Sequence, residues 1–280
     1  MRVKITADST CDLPRDISEK YGIRILPLHI IKGSEDLLDG IEITPNDIFR
    51  YVEATDDMCK TAAVSVGEYE KAFREELRDC EAVIHINISS EFSACHQNAC
   101  IAAAEVGGVY PIDSRNLSSG SGHLAIDAAI MAADGMTAEE ISKKLKEDTS
   151  KLEVSFVLNT LRYLHLGGRC SGVAALGANL LQLRPCIEVR DGKMGVGKKY
   201  RGNMEKCLKQ YITDRLAERD DIDMKRIFIT HSGVDPRLLE QLKNLITQLA
   251  SFEEVIESEA GCTISNHCGP QCLGILFYTV

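Results

Sequence analysis

Residues 82–114 read AVIHINISSEFSACHQNACIAAAEVGGVYPIDS, and this stretch decides the fold. Ala82 to Ile88 is a near-continuous apolar run that reads as a strand. It ends in Ser89-Ser90-Glu91-Phe92-Ser93, and the small residues that follow form a helix to about Glu105. Gly108 to Ile112 is a second short strand, ending at Asp113-Ser114. A strand, a helix and a strand at this spacing form a crossover unit, and the pattern repeats on both sides of it.

Upstream, Val3 to Thr6 reads as a strand, followed by a polar turn at Asp8, Ser9, Thr10 and Asp12, Pro14, and a short helix over Asp16 to Tyr21. Ile23 to Ile31 reads as one apolar strand. Thr44-Pro45 caps a helix through Val52, and Ser65 with Glu68 forms a capping box opening a helix to about Arg78. Downstream, Gly120 and Gly122 precede a helix through Ala132, and the box Thr137–Glu140 opens another to about Thr149. Strand–helix alternation of this kind predicts an α/β fold, a mostly parallel sheet flanked by helices over residues 1–150. Ligands bind such sheets at the C-terminal ends of the strands. Asp8-Ser9, Ser89-Ser90 and Asp113-Ser114 all fall there.

A second α/β domain is expected over residues 151–280, with the ligand between the two. Val154 to Val157 is strand-like, Leu161 to Leu166 is a short helix ended by Gly167-Gly168, and the apolar run 173–183 suits a buried helix. Asp191-Gly192 marks a hairpin turn. An amphipathic helix from Asn203, a strand at Lys225 to Thr230 and a helix from Pro236 follow. Strands at Phe252 to Glu257 and Gly274 to Tyr278 close the chain, the last a candidate to return to the first domain.

The bulk numbers remove several function classes. The chain has 280 residues, 44% hydrophobic and 26% charged, with a formal charge of -10. That charge argues against a duplex nucleic-acid binder, whose affinity rests on positive charge meeting phosphates. Met1-Arg2-Val3-Lys4 runs directly into the first strand, so no signal peptide is expected. No apolar run reaches the length of a membrane span, and a cytoplasmic location is expected. The 11 cysteines then read as free thiols in a reducing compartment, mostly filling small core positions. Cys262, His267, Cys268 and Cys272 could instead form a zinc site, but they lack the usual Cys-x-x-Cys knuckle. Neither a metal nor a cofactor is expected.

Chemistry-bearing clusters are few. Ser89, Ser90 and Ser93 precede a helix whose free amide N–H groups suit an anion. Arg169 follows Gly167-Gly168 and could pair with an oxyanion, and His267 lies beside the Gly269-Pro270 turn. A Ser93–His267–Asp113 assembly can be drawn, but there is no nucleophile elbow, P-loop or dinucleotide fingerprint. From the residues alone, a serine-dependent α/β enzyme and a binding protein for an anionic small molecule both stand.

In order along the chain, these motifs resemble the DegV family. They are Ile5-Thr6-Ala7-Asp8-Ser9-Thr10-Cys11-Asp12-Leu13-Pro14, Pro27-Leu28, Asp39-Gly40, Thr61, Ser89-Ser90-x-x-Ser93, and Asp113-Ser114 with Ser118-x-Gly120-x-Gly122. Leu161-x-x-Leu164-x-x-Gly167-Gly168-Arg169, Tyr200-Arg201-Gly202 and His267-x-Gly269-Pro270-x-x-x-Gly274 complete the series. The resemblance implies a protein that is not an enzyme by itself. It implies that a long-chain fatty acid is held between two domains and its carboxylate presented to a bacterial fatty acid kinase, which makes an acyl phosphate for phospholipid synthesis. It assigns the carboxylate to Thr61 and Ser93, with Arg169 and His267 near it. It gives Arg201 to kinase engagement or support of phosphotransfer. Leu28, Phe92, Leu158, Leu161, Val173, Leu176 and Leu180 are the expected lining of the acyl chain. Transient contact with a membrane surface fits the same picture. The chain departs from the family pattern at Ala62-Ala63-Val64, at Ala94-Cys95 and at Gln271, where the family usually has glycine.

Overall fold

The structure is a computed structural model that describes residues 2–168 and 183–280. In the first half the elements are β1 (Val3–Asp8), α1 (Arg15–Lys20), β2 (Arg24–Leu26), β3 (His29–Lys32), β4 (Glu35–Leu38), α2 (Pro45–Thr55), β5 (Lys60–Ala62), α3 (Val66–Glu76), β6 (Ala82–Asn87), α4 (Cys95–Val106), β7 (Val109–Asp113), α5 (Ser119–Ala133) and α6 (Ala138–Asp148). The second half holds β8 (Leu152–Val157), α7 (Arg162–Leu166), β9 (Leu183–Arg190), β10 (Lys193–Arg201), α8 (Met204–Leu216), β11 (Ile222–Ser232), α9 (Pro236–Leu249), β12 (Glu254–Glu259), α10 (Cys262–Cys268) and β13 (Cys272–Thr279).

The crossover unit at 82–114 forms as expected. β6 and β7 are parallel neighbours in a sheet of order β2-β1-β6-β7, parallel throughout. All of β6 is buried, which explains its unbroken apolar character. Two polar residues in it, His85 and Asn87, are buried as well, and Asp8 answers both. Its Oδ1 lies 3.1 Å from His85 Nε2, and its Oδ2 accepts from Asn87 Nδ2 at 3.2 Å and Ile88 N at 3.0 Å. Tyr69 OH donates to the same carboxylate, and Thr6 Oγ1 lies 2.8 Å from His85 Nδ1. Asp8 therefore serves the core; it does not face a ligand.

The strand expected over Ile23 to Ile31 is two strands. Pro27 has no N–H to continue the ladder, so β2 ends at Leu26 and β3 turns into a separate antiparallel sheet of order β4-β3-β5. At the break, Leu28 N donates to Ser9 Oγ at 3.1 Å, and Leu28 O accepts from Asp39 N at 2.9 Å. The third sheet has order β10-β9-β8-β13-β11-β12. β13 lies inside it, between β8 and β11, so the last strand does not return to the parallel sheet. The Asp191-Gly192 hairpin forms, with Arg190 opposite Lys193 and both turn residues at positive φ. The three capping boxes, at Thr44, Ser65 and Thr137, each carry both reciprocal bonds. The expected helix over the run 173–183 lies outside the described residues, apart from Leu183, which opens β9.

α5 joins the two halves. Its N-terminal two-thirds is almost wholly buried, and its residues pack in one cluster with β1, β6, β8, Phe228 and Leu276. His123 on this helix meets the rings of Phe228 and Tyr278 edge-on, and its Nε2 lies 3.0 Å from Leu276 O. Burial lowers its pKa to about 3, so the imidazole is neutral and donates to that carbonyl. The ten cysteines among the described residues are free thiols, most of them buried as small core groups.

Candidate ligand-binding site

The site begins with helix α10, which the sequence reading missed because it spans only Cys262–Cys268 and carries polar residues at Thr263, Ser265, Asn266 and His267. Two buried carboxylates from the first half dock its N-terminus. Asp39 Oδ1 accepts from Cys262 N at 2.8 Å, while its Oδ2 accepts from Thr263 N at 3.1 Å, Thr263 Oγ1 at 2.6 Å and Ser9 Oγ at 3.0 Å. Asp12 Oδ1 accepts from Gly261 N at 2.9 Å, and its other oxygen pairs with Ser118 Oγ. Unpaired helix N–H groups need acceptors, and these two side chains supply them. The Asp8–Asp12 and Asp39-Gly40 motifs thus hold the helix that carries His267.

Burial raises the Asp12 pKa to about 8, against the lowering effect of its bonds to Ser118 and Gly261. Folded, Asp12 keeps its proton at pH values where the unfolded chain, with a pKa of about 3.9, has lost it. The stability it contributes is complete below about pH 4 and falls as pH rises toward about 8. Asp12→Asn supplies one acceptor for Gly261 N and one donor for Ser118, so it should cost under about 1 kcal/mol near pH 7. Urea unfolding of wild type and variant at pH 5 and pH 8.5 checks this: the gap between them should shrink or reverse at the higher pH. A gap that widens as pH rises would show that Asp12 is ionised.

Between α10 and the strand ends of the parallel sheet lies a cavity of about 190 Å³. Thr61, Ser93 and His267 share its wall with Leu28, Phe92 and Leu164. Thr61 Oγ1 lies 2.9 Å from His267 Nε2, a bond joining β5 to α10. Ser93 Oγ accepts from Cys95 N at 3.3 Å and, among the described residues, has the Cys95 thiol, 3.1 Å away, as acceptor for its own proton. Sulfur is a weak acceptor, so a carboxylate oxygen would compete well for that hydroxyl. Ser93 and Ala94 also bring the N-terminus of α4 to the cavity, where free amides suit an anion.

A second, narrow apolar cavity lined by Val154, Phe156 and Leu276 shares Leu117, Ile264 and Cys268 with the first. The two thus have wall residues in common, and the larger one holds the hydroxyl and imidazole groups of Thr61, Ser93 and His267.

Of the expected acyl-chain residues, Leu28 and Phe92 line the cavity. Leu158 is wholly buried and Leu161 packs on the core, and neither belongs to the lining of these two cavities. Both follow β8 immediately, where the chain is held to β9 by Leu158 N donating to Pro185 O at 3.1 Å. Arg169, Val173, Leu176 and Leu180 lie outside the described residues. Arg201 ends β10 on the surface. It stands seven residues from the cavity residue Met194, about 20 Å along a strand. The sequence reading missed Ile88, Leu117, Met194 and Ile264 as wall residues, and only Met194 and Ile88 carried a signal, being apolar residues beside turns.

The Ser93–His267–Asp113 assembly does not form. Asp113 accepts from Ser90 Oγ at 2.6 Å and Arg115 N at 2.9 Å, and among the described residues no bond links the three in series. The zinc alternative fares no better: Cys262 Sγ donates to Ile43 O at 3.1 Å, and no metal-binding cluster of three or more such ligands occurs among the described residues. Nor is any described helix long and apolar enough to cross a membrane. Of the departures from the family pattern, Ala62, Ala63 and Ala94 face the cavity. Gln271 sits at φ 60, a left-handed conformation that glycine adopts without strain.

Gly167 has a steric reason. A Cβ there would overlap His267 Nδ1 and come within 3.0 Å of Tyr163 O. Gly167→Ala is therefore expected to push His267 off Thr61 and to cost about 1–3 kcal/mol as an overpacked site. Thermal unfolding with a crystal structure of the variant tests this; an unmoved His267 ring would refute it.

Comparison with known proteins agrees with this architecture. The family model described as "Uncharacterised protein, DegV family" matches residues 2–280. A DegV domain-containing protein of Clostridium perfringens is 31% identical, over 99% of this chain and 98% of the relative. Two solved structures superpose over the whole of both chains. One is a DegV family protein from Thermus thermophilus described for its fatty acid binding, with 29% identity and a TM-score of 0.90. The other is a Thermotoga maritima protein described as revealing a fatty acid binding function, with 27% identity and a TM-score of 0.86. With the fold, the motif order and the whole length of the chain in agreement, this protein belongs to the DegV family.

Proposed function

We propose that this chain binds one long-chain fatty acid and presents its carboxylate to a fatty acid kinase, without catalysing a reaction alone. The observation that carries the reading is the meeting of Thr61, Ser93 and His267 on the wall of one largely apolar cavity. A carboxylate buried there needs several donors. Ser93, the α4 amides and the Thr61–His267 pair supply them, and Arg169, two residues beyond Gly167, is the expected positive partner. The acyl chain runs toward Val154, Phe156 and Leu276, gaining about 0.8 kcal/mol for each methylene removed from water. Fatty acid binding by the Thermus and Thermotoga relatives supports the same reading.

In this reading Arg201 serves the partner surface. Its distance along β10 from the cavity suits docking of the kinase better than support of the transferring phosphoryl group. Loading through transient contact with a membrane surface belongs to the same cycle. Lipid extraction and mass spectrometry of protein purified from its native cell tests the binding, with near one fatty acid per chain expected. Another small anion in its place, or none, would overturn it. Acyl-phosphate formation with a bacterial fatty acid kinase and ATP tests the presentation. Arg201→Ala should slow it while leaving the fatty acid content unchanged, and an unchanged rate would remove Arg201 from the docking surface.

A further inference from the structure

The cavity walls differ in how firmly they are held. Leu28, Ile88, Phe92 and Leu117 lie on segments that leave the parallel sheet, and α10 is docked by Asp12 and Asp39. Leu164 is tied down through its neighbour Tyr163, buried in a separate core cluster beside Phe49. Thr61 and Ala62 sit on the edge strand β5, but Thr61 is tied to α10 through His267. Met194 sits on β10, an edge strand of the six-stranded sheet, which among the described residues pairs with β9 alone and carries a bulge between Val196 and Lys199. An edge strand has ladder partners on one side only, so it opens at less cost than a central strand.

The tip of this hairpin is fastened to the first half of the chain. Ser89 Oγ donates to Gly192 O at 2.9 Å, and the Arg115 guanidinium donates to Asp191 O. Lys193 Nζ lies 3.6 Å from Glu91. The seat is tight: a Cβ on Gly192 would stand 2.9 Å from Ser89 Oγ and 3.3 Å from Arg115 Cζ, and residue 192 has φ +80. The two carbonyls so held belong to the turn itself, at the residues between β9 and β10. Ser89, the first serine of the motif that ends with the cavity residue Ser93, thus points at the hairpin while Ser93 points at the cavity.

We propose that the β9–β10 hairpin is the gate of the fatty acid site, and that Ser89 and Arg115 are positioning residues that latch it shut over the ligand. This rests on the fatty acid reading above. A latch that acts on the gate changes the rates of uptake and release together. A group that holds the ligand changes the affinity.

The test uses cis-parinaric acid, a fluorescent long-chain fatty acid, on the delipidated full chain, with release into excess albumin followed by stopped-flow fluorescence. Arg115→Met, at a half-buried position, and Ser89→Ala are each expected to speed release and uptake about tenfold, the effect of one lost hydrogen bond. The dissociation constant should change less than threefold. Ser93→Ala, by contrast, should weaken equilibrium binding. Release from Arg115→Met at the wild-type rate overturns the gate while leaving the fatty acid site in place. A loss of affinity in Arg115→Met with an unchanged uptake rate also overturns it, making Arg115 part of the ligand's own surroundings. Failure of the wild type to bind the probe at all overturns the fatty acid reading and the gate with it.

Discussion

Asp39→Asn is expected to destabilise the protein by about 3–5 kcal/mol and to abolish ligand retention, although the residue does not itself line the cavity. Asp39 is 4% exposed and takes four donors: two backbone N–H groups of α10, the Thr263 hydroxyl and the Ser9 hydroxyl. A carboxylate accepts them all. An asparagine has one acceptor oxygen, and its NH₂ must face groups that are themselves donors. At least one buried N–H then loses its partner, and bonds to a charged acceptor are worth about 1.5–3 kcal/mol each. The start of α10 loosens, and His267 at its other end leaves Thr61. Urea unfolding measures the first effect and lipid content by mass spectrometry the second. The contrast with Asp12→Asn is the sharper part of the test, since Asp12 has one backbone donor and a hydroxyl that can either give or take a proton. Equal stability of the two asparagine variants would refute this account of how α10 is held.

Thr61→Val and Ser93→Ala are each expected to weaken fatty acid binding about ten- to hundredfold without unfolding the protein. Each removes one hydroxyl from the polar chamber and little volume. A bond to a charged carboxylate contributes about 1.5–3 kcal/mol, and 1.4 kcal/mol corresponds to a factor of ten in affinity. Ser93→Ala leaves the Cys95 amide with one partner fewer, a small structural cost at a helix start. Thr61→Val also leaves His267 Nε2 without its hydroxyl, so it should be the more damaging of the two. The double variant should fall short of the sum, because both hydroxyls serve one head group. Parinaric acid titration with circular dichroism as a fold control measures these effects. Wild-type affinity in both variants would remove the carboxylate from this chamber.

His29 offers a different kind of lever. It bridges Asp36, 2.8 Å from Nδ1, and Glu68, 2.9 Å from Nε2, next to the β3–β5 pairing that places Thr61. Burial alone would lower its pKa, but the hydrogen bonds to and charges of Asp36 and Glu68 outweigh that and raise it. The stability His29 adds is complete below its unfolded pKa of about 6.5 and is lost as pH rises through the raised folded value. Both partners are largely exposed, so the contribution is under about 1 kcal/mol. It is a fine adjustment beside the two effects above.

Much of this molecule was legible in the sequence because the relevant signals are local. The apolar run 82–88, the Thr44 cap, the capping boxes at Ser65 and Thr137, and the Asp191-Gly192 turn each act through neighbours within a few residues. The order of strands and helices then requires a parallel sheet with ligand-facing loops at one end. The motif order carried the family, and with it Thr61, Ser93 and His267. Hydrogen bonds and packing between distant parts of the chain decided the rest. Nothing in the sequence pairs Thr61 with His267, 206 positions apart, or Asp39 with the start of a seven-residue helix. Asp8 and Ser9 look alike as polar residues after a strand. Yet Asp8 turns inward because two buried polar side chains of β6 need it, and Ser9 turns to Asp39 and Leu28. The sequence by itself determined the α/β class, the main elements and the polar groups available for a site. The tertiary structure decided which of those groups face the cavity and which are consumed in holding it together, because a buried polar group must be paired and its partner is chosen by proximity in space.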